Sequence, residues 1–192
     1  MSKTLVLAST SPFRKEILSR LHIAFETVAP LVDETPLENE SPTQLVTRLS
    51  ILKAKSAKLE RALVIGSDQV AVVDNNTILG KPGNHEQAVK QLNQVSGKQV
   101  DFLTGLSVIN TETDKIQTDV VHFAVKFRQL TSTQIENYLK IDQPYNCAGS
   151  FKSEGLGIAL LDRMIGSDPT AIIGLPLIRL VRMLEAEGFS II

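Results

Sequence analysis

The sequence predicts a mixed α/β (α+β) fold, in which an elongated mixed β-sheet is flanked by helices. Two observations lead to this prediction. The first half alternates short apolar runs with helical patterns, as strand–helix–strand folds do. The second half contains two β-prone runs, 100–109 and 120–127, that fit the arms of a long hairpin. No linker-like stretch divides the chain, so we expect residues 1–192 to form one domain, with two lobes and a central cleft for a ligand.

Local patterns and capping residues define the individual elements. Ser11, Asn84 and Thr131 are suitable N-caps, and Pro12 suits a first helical turn. Between Gly66 and residue 68 the third apolar run contains polar residues, which predicts an interrupted strand. We expect helices over residues 12–21, 42–59, 84–97, 131–139 and 176–187, and strands over 5–8, 25–29, 63–73, 100–109, 120–127 and 158–161.

Composition restricts the class of protein. Apolar residues make up 43% and charged residues 21%, which indicates a globular chain rather than a disordered one. The net charge of −1 gives no basic field for nucleic acid, so phosphate chemistry requires a local cluster of Lys and Arg. Cys147 is the one cysteine, and no apolar run suits a secretory signal or a membrane span. We therefore expect a cytoplasmic protein without nucleic-acid or membrane partners.

The segment 9–14, Ser-Thr-Ser-Pro-Phe-Arg, lies between the first strand and the first helix. Backbone N–H groups and the helix dipole at such a position favour an anion. Ser9 and Arg14 add further donors. The alternative is an ordinary N-cap followed by a surface arginine.

Asp68 and Lys53 are charged residues at positions that look buried. Asp68 interrupts an apolar run, where a carboxylate needs an ion pair or a metal; Gly66 beside it permits a bulge or a close ligand approach. The alternative is a strand end with Asp68 in a turn. Lys53 falls on the apolar face of its helix, so it needs a counter-charge, which a phosphate can provide, or a route by which its amine reaches water.

Other candidates lie in polar loops. Glu34 belongs to an acidic pair that, with Asp68, suits Mg²⁺ or Mn²⁺, although a solvated loop explains the pair equally. Lys81, in a Gly-Lys-Pro-Gly turn without P-loop spacing, is expected to face solvent. The glycine-rich segment 147–157 is denser in glycine, serine and lysine than a connector requires. Cys147 in that segment is expected to be a small buried residue rather than a nucleophile.

Together these segments resemble the Maf-like nucleotide pyrophosphatases over nearly the whole chain. The matching motifs are residues 7–14, 32–34, 53–54, 66–69, 80–82, 104–105, 148–157 and 174–177. The resemblance implies hydrolysis of a nucleoside triphosphate between its α and β phosphates, with a divalent cation, Mg²⁺ or Mn²⁺, as cofactor. It also implies a possible homodimer.

The resemblance implies a role for each matching residue. Asp68 would activate the attacking water and, with Glu34, hold the metal. Arg14, Lys53 and Lys81 would neutralise the triphosphate, with Lys81 and Glu34 counted beside Asp68 in the catalytic set. Ser9 would hydrogen-bond the phosphates.

Residues 66–69 and 150–155 resemble the branch of the family that hydrolyses 7-methyl-GTP, which implies base-recognition roles for Phe13, Gln69 and Glu154. Phe13 would stack on the cationic methylated base, although it also begins an apolar helical row with Ile17 and so suits the core. Relatives in this branch often have Trp at that position, so base selectivity would be looser. Glu154 would accept hydrogen bonds from guanine, and Gln69 would read a further base edge.

Two other functions stay open from the sequence. The first is the same reaction on dTTP, UTP or another modified nucleotide, against which Glu154 and Gln69 argue. The second is a regulator of septum formation that binds a nucleotide without turnover. Carboxylates beside a polyanion bring a pure binder no benefit, which favours catalysis.

Overall fold

The computed structural model describes residues 3–74 and 76–192. The strands are β1 (Thr4–Ala8), β2 (Glu26–Val28), β3 (Ala62–Val73), β4 (Thr77–Leu79), β5 (Gln99–Asn110), β6 (Lys115–Phe127) and β7 (Leu161–Ile165). The α-helices are α1 (Pro12–Ser19), α2 (Pro42–Lys55), α3 (His85–Val95), α4 (Ser132–Asp142) and α5 (Leu177–Glu185). Three short 3₁₀ helices cover Ala148–Ser150, Leu156–Leu160 and Ala171–Ile173.

The strands form one mixed sheet in the order β2-β1-β3-β5-β6-β7, and β4 pairs with β3. β1 runs parallel to both β2 and β3, whereas β4 is antiparallel to β3 and β7 is antiparallel to β6. This combination of parallel crossovers and antiparallel pairs confirms the predicted mixed α/β fold.

Capping side chains set the helix starts, as predicted. Ser11 accepts a hydrogen bond from Arg14 N, and Asn84 accepts one from Gln87 N. Thr131 forms a reciprocal capping box with Gln134, and Ser41 does the same at the start of α2. These caps satisfy N–H groups that the first helical turn leaves without a backbone partner.

Several predicted boundaries were wrong. β3 is continuous from Ala62 to Val73 rather than interrupted at residues 66–68. Helix α2 ends at Lys55, and Lys58, four residues before β3, takes a left-handed φ of 43° that no α-helix includes. The strand expected over 158–161 is the 3₁₀ helix Leu156–Leu160, and the strand follows it as β7.

The chain divides into two compact units. The first contains the described residues up to Gln69 together with Thr104–Val121 and Asp168–Ile192, and the second contains Val70–Leu103 and His122–Ser167. β3, β5 and β6 contribute residues to both units.

Each unit has its own buried apolar residues. In the first unit, alternate residues of β1 enter two different clusters: Leu5 and Leu7 pack with α1 and α5, and Val6 packs with Ala54 of α2. This alternation is the period-two pattern of a sheet covered on both faces. In the second unit, Phe151 contacts Phe102 and Phe127, with ring centroids 6.1 and 5.5 Å apart.

Across residues 3–74 and 76–192, no helix is long and apolar enough to cross a membrane.

Candidate active site

A buried ion pair joins the middle of β3 to helix α2. Asp68 and Lys53 are only 7% and 5% exposed, and Lys53 Nζ donates to Asp68 Oδ1 at 2.6 Å. The prediction that Lys53 faces inward and needs a counter-charge is confirmed, and Asp68 supplies that charge. The alternative placement of Asp68, in a turn at a strand end, is wrong because the strand continues for five residues beyond it.

Two glycines allow α2 to lie close to the sheet. A Cβ atom on Gly66 would lie 2.1 Å from the backbone oxygen of Ser50, and one on Gly105 would lie 2.2 Å from that of Val46. Such distances are far inside van der Waals contact, so any larger residue would push the helix away. Gly66 therefore makes room for α2, which carries Lys53, rather than forming the bulge that the sequence suggested.

Glu34 provides a second carboxylate to the same lysine. Its Oε1 lies 2.9 Å from Lys53 Nζ, although the Glu34 side chain is 57% exposed. The loop that carries Glu34 is anchored by Arg48, whose guanidinium binds both carboxylate oxygens of Glu40 at 2.6 and 2.8 Å and the Thr35 carbonyl at 3.1 Å. The hydrogen bond from Arg48 lowers the pKa of Glu40 to about 2.

Arg14 completes the charged group. Burial lowers the pKa of its guanidinium, while the nearby charges of Asp68 and Glu34 oppose that shift. The Arg14 Nε donates to Gly174 O at 2.8 Å, which fixes the side chain. We call Arg14, Glu34, Lys53 and Asp68 the charged cluster; it lies within the first unit and contains two cations and two carboxylates.

The segment between β1 and α1 is ordered by its own hydroxyl groups. Ser9 is buried, and its Oγ accepts a hydrogen bond from Ser11 N at 3.1 Å. Ser11 is the N-cap of α1, as predicted. Phe13 is half-buried, so its ring is neither fully enclosed in the core nor fully exposed for stacking.

The loop 168–176, to which sequence reasoning gave no role, binds Arg14 of the cluster and the neighbouring Ser67. The Gly174 carbonyl accepts two hydrogen bonds, from Arg14 Nε and from the buried Ser67 hydroxyl, each at 2.8 Å. The carbonyl of Ala171 receives the Thr104 hydroxyl at 2.9 Å. The signal in the sequence was the presence of Ser67 and Thr104 inside apolar strands, since buried hydroxyls require partners.

Gln69 is held by the same loop. Its Nε2 lies 2.7 Å from Ala171 O, 2.9 Å from Thr104 Oγ1 and 3.2 Å from Ile172 O. An amide nitrogen has two hydrogens, so these acceptors use its donor capacity. Any contact between Gln69 and a base would therefore involve its Oε1 rather than its Nε2.

Asp168 stabilises this loop, and it was also missed from the sequence. The residue is 3% exposed, and its carboxylate accepts hydrogen bonds from Thr170 and from Ile178 N at the start of α5. A carboxylate at a helix N-terminus binds unpaired N–H groups there. The pattern Asp-Pro-Thr followed by an apolar helix was the available signal.

Lys81 and Glu154 belong to the second unit, and both are exposed. The loop of Lys81 is fixed by backbone hydrogen bonds from Gly83 N to Tyr145 O at 3.0 Å and from Gly149 N to Gly80 O at 3.2 Å. Glu154 Oε2 accepts a hydrogen bond from the Ser153 hydroxyl at 2.7 Å. Solvent exposure of Lys81 agrees with the sequence-based expectation.

Cys147 lies in the same unit as Lys81. Burial raises the pKa of its thiol, and the charge of Glu154 raises it further. A raised pKa keeps the sulfur protonated at neutral pH, so the thiol lacks the thiolate character of a nucleophile. The raised pKa agrees with the expectation that Cys147 is not a nucleophile, but the residue is only partly buried, so the expectation of a buried residue was wrong.

The residues of the cluster suit a weakly held divalent cation. Asp68 and Glu34 direct oxygens to one point, which Lys53 Nζ marks. Within residues 3–74 and 76–192, no group of three His, Cys, Asp or Glu side chains forms a metal site. Mg²⁺ is commonly held by one or two carboxylates, with water and substrate phosphates as its other ligands. The donor set therefore fits Mg²⁺ or Mn²⁺ bound together with a phosphate substrate.

Known proteins resemble this chain along its whole length. A protein of Aliivibrio fischeri named 7-methyl-GTP pyrophosphatase is 54% identical over 194 residues, covering 100% of both chains. One of the same name from Nitrosococcus oceani is 56% identical, covering 98% of this chain and 96% of its own.

A solved structure shows a similar fold at low sequence identity. The Ham1 protein of Staphylococcus aureus superposes with a TM-score of 0.56 at 14% identity, covering 96% of this chain and 100% of its own. The sequence profile of Maf-like proteins matches residues 4–187. The chain therefore belongs to the Maf-like protein family.

Proposed function

We propose that this protein is a 7-methyl-GTP pyrophosphatase, which hydrolyses its substrate to 7-methyl-GMP and pyrophosphate. The observation that carries this proposal is the identity of 54% and 56%, over almost the whole chain, to two proteins of that name. The charged cluster supports it, because it offers the two kinds of group that hydrolysis of a phosphoanhydride requires: cations for the phosphates and a carboxylate for water.

The charge balance of the cluster supports a metal-dependent reaction. Arg14 and Lys53 are offset by Asp68 and Glu34, so the charged cluster presents no net positive charge to a polyanionic triphosphate. Asp68 and Glu34 would hold a divalent cation, Mg²⁺ or Mn²⁺, which supplies Lewis-acid stabilisation of the phosphate oxygens. Neither carboxylate could approach a triphosphate favourably without such a cation.

The side chains divide the remaining work. Asp68 accepts the proton of the attacking water through its carboxylate, which is carried by the middle of the continuous strand β3. Arg14 binds phosphate oxygens, and the buried Ser9 donates its hydroxyl hydrogen to them. Lys53 moves its ammonium toward the phosphates, and Lys81 adds a further positive charge, as the family resemblance implies. This assigns Asp68, Glu34 and Lys81 to catalysis.

Base selection is assigned to three residues. Phe13 stacks on the cationic 7-methylguanine, since a positively charged ring is attracted to an aromatic face. Glu154 accepts hydrogen bonds from the N1–H and N2–H groups of guanine. Gln69 contributes its Oε1, because its Nε2 is bound to the loop 171–172. A homodimer and a cytoplasmic location also belong to this proposal.

The test is a pyrophosphate-release assay with Mg²⁺ or Mn²⁺ on 7-methyl-GTP, GTP, dTTP, UTP and CTP. We expect 7-methyl-GTP to be the preferred substrate. Asp68→Asn keeps the size of the side chain but removes its basicity, and we expect turnover to fall about 10³-fold or more. Binding of nucleotide without turnover by the unmodified protein would contradict the enzyme and favour a regulatory role.

Glu154→Gln tests base selection separately. We expect the preference for 7-methyl-GTP over UTP to fall about tenfold, because a neutral amide accepts hydrogen bonds less strongly than a carboxylate. The thermal midpoint should be unchanged, since Glu154 is exposed. A preference for dTTP or UTP in the unmodified protein would overturn the roles of Phe13 and Glu154 and leave the reaction class intact.

A further inference from the structure

Lys53 binds the two carboxylates that are proposed to hold the metal, and it does so with a single atom. Its Nζ lies 2.6 Å from Asp68 Oδ1 and 2.9 Å from Glu34 Oε1. The Lys53 side chain is 6% exposed, so its ammonium has exchanged most of its water for these two oxygens. An unpaired ammonium at this depth would be strongly unfavourable.

A divalent cation that bound between these same two oxygens would compete with the ammonium for one position. Mg²⁺ binds oxygen at about 2.0–2.1 Å. A cation held by both oxygens would therefore occupy the space where Nζ now lies. A cation beside Nζ would still be repelled, because two positive charges a few ångströms apart in a partly buried site are poorly screened.

We propose that Lys53 is an exchangeable internal cation that competes with the divalent metal for Asp68 and Glu34. In the free protein the ammonium bonds to both carboxylates and holds them close together. When the metal binds, the ammonium leaves, and the nucleotide phosphates provide its new partner. This inference rests on the proposed metal-dependent reaction and adds a regulatory property to it: metal binding and nucleotide binding become mutually dependent.

The side chain of Lys53 is suited to this exchange. It is a flexible four-carbon chain with an ammonium group that binds as a point charge and needs no fixed geometry. Arg14 lies near the same carboxylates but donates its Nε to Gly174 O, which holds it in place. Among residues 3–74 and 76–192, the ammonium of Lys53 bonds only to Asp68 and Glu34, the two side chains that would bind the metal. The cluster thus contains one anchored cation, Arg14, and one exchangeable cation, Lys53.

The reciprocal consequence concerns the metal in the absence of nucleotide. Displacing the ammonium then leaves a buried positive charge without a partner, so the free protein should bind metal weakly. With nucleotide present, the ammonium gains phosphate oxygens, and the metal gains them as further ligands. By thermodynamic linkage, whatever raises metal affinity when nucleotide binds must raise nucleotide affinity when metal binds.

The first experiment measures Mn²⁺ binding to the nucleotide-free protein by electron paramagnetic resonance, at about pH 8, where carboxylates are ionised. We expect Lys53→Met to bind Mn²⁺ about tenfold more tightly than the unmodified protein, because the competing charge is gone. Lys53→Arg keeps the charge and should stay weak. Lys55→Met removes a charge from the exposed face of the same helix and should leave the affinity within about twofold.

The outcome that overturns the proposal is a Lys53→Met protein that binds Mn²⁺ no more tightly than the unmodified one. Melting curves test whether the change in Mn²⁺ affinity comes from loss of the ammonium rather than from a general change in stability. In EDTA, Lys53→Met should melt lower than the unmodified protein, and Mn²⁺ should raise its midpoint by more than it raises that of the unmodified protein, since the metal replaces the lost ammonium. Equal shifts would contradict the exchange.

A second measurement requires no destabilising variant. A buried lysine ammonium exchanges its protons slowly enough to give its own ¹H–¹⁵N resonance, which Lys53→Arg would assign. We expect saturating Mg²⁺ to remove or shift that resonance, and an unchanged resonance would overturn the proposal. Neither measurement depends on turnover, so failure of the pyrophosphate assay and failure of the exchange are distinguishable.

Discussion

The charged residues of the first unit and those of the second are held in different ways. In the charged cluster, Lys53 and Asp68 are almost fully buried, and their positions follow from the packing of α2 on β3. Lys81 and Glu154 of the second unit are exposed, and their positions follow from loops that backbone hydrogen bonds fix.

The two regions should therefore respond differently to mutation: stability and activity are coupled in the first and separable in the second. A change in the first region must alter packing, buried charge and chemistry together, since the same atoms provide all three. A change in the second region can alter the interaction with a substrate while stability stays constant, because exposed charges contribute little to folding. Substitutions in the two regions should therefore have different effects on stability and activity.

The largest effect should come from Gly66→Ala. The added methyl group would meet backbone atoms of α2, 2.1 Å from Ser50 O and 2.6 Å from Ala54 N, so the helix must move. Overpacking of this kind costs about 1–3 kcal/mol, which exceeds the gain of about 0.5–1 kcal/mol from replacing glycine in a strand. The shift also displaces Lys53, which α2 carries, from its position against β3, so activity should fall about 10²-fold. Urea denaturation and the pyrophosphate assay measure both effects.

Gly80→Ala is the matched control in the second unit. A Cβ atom there would meet no heavy atom within 4 Å, so the same substitution should be neutral or stabilise by about 0.4–1 kcal/mol. Equal destabilisation by both substitutions would contradict this explanation, because the close packing of α2 on β3 would then not account for the effect of Gly66→Ala.

Lys81→Gln should affect activity alone. It removes one positive charge from an exposed loop, so kcat/KM for the nucleotide should fall about 10²-fold through lost stabilisation of the phosphate charge. The denaturation midpoint should not move. Lys90→Gln removes an exposed charge from α3, where its ion pair with Glu86 is solvent-exposed and contributes little, so both quantities should stay nearly unchanged. A lower midpoint for Lys81→Gln would show that this loop, too, depends on its charge for stability.

The sequence predicted the chemistry of the first region better than its geometry. An aspartate inside an apolar run and a lysine on an apolar helix face both indicated buried charge, because solvation energy makes such positions costly unless paired. That the two residues pair with each other did not follow, since their contact depends on how closely α2 approaches the sheet. Gly66 and Gly105 allow that approach, but the sequence alone does not show that α2 packs against these two glycines.

The loop 168–176 illustrates a different limit. Its backbone carbonyls accept hydrogen bonds from the side chains of Arg14, Ser67, Gln69 and Thr104. Every residue has a backbone carbonyl, so the sequence does not indicate which carbonyls act as acceptors. Helix starts were predictable because each depends on one side chain and its neighbours within four residues. The strand expected over 158–161 was wrong because short apolar runs suit strands and 3₁₀ helices alike.

The smallest effect concerns the exposed member of the charged cluster. Glu34 lies on a loop held by the Arg48–Glu40 pair, and Arg48 lowers the pKa of Glu40 from 4.5 to about 2. Because the folded pKa is the lower one, this pair stabilises the protein above pH 4.5 and loses its contribution as the pH falls toward 2.

The free energy of unfolding of Glu40→Gln should therefore lie below that of the unmodified protein at neutral pH and approach it in acid. Glu38→Gln removes the same charge from the same loop without an Arg48 bond, so denaturant titrations across this pH range should show no such convergence. Convergence in both variants would mean that net charge, and not the ion pair, holds the loop of Glu34.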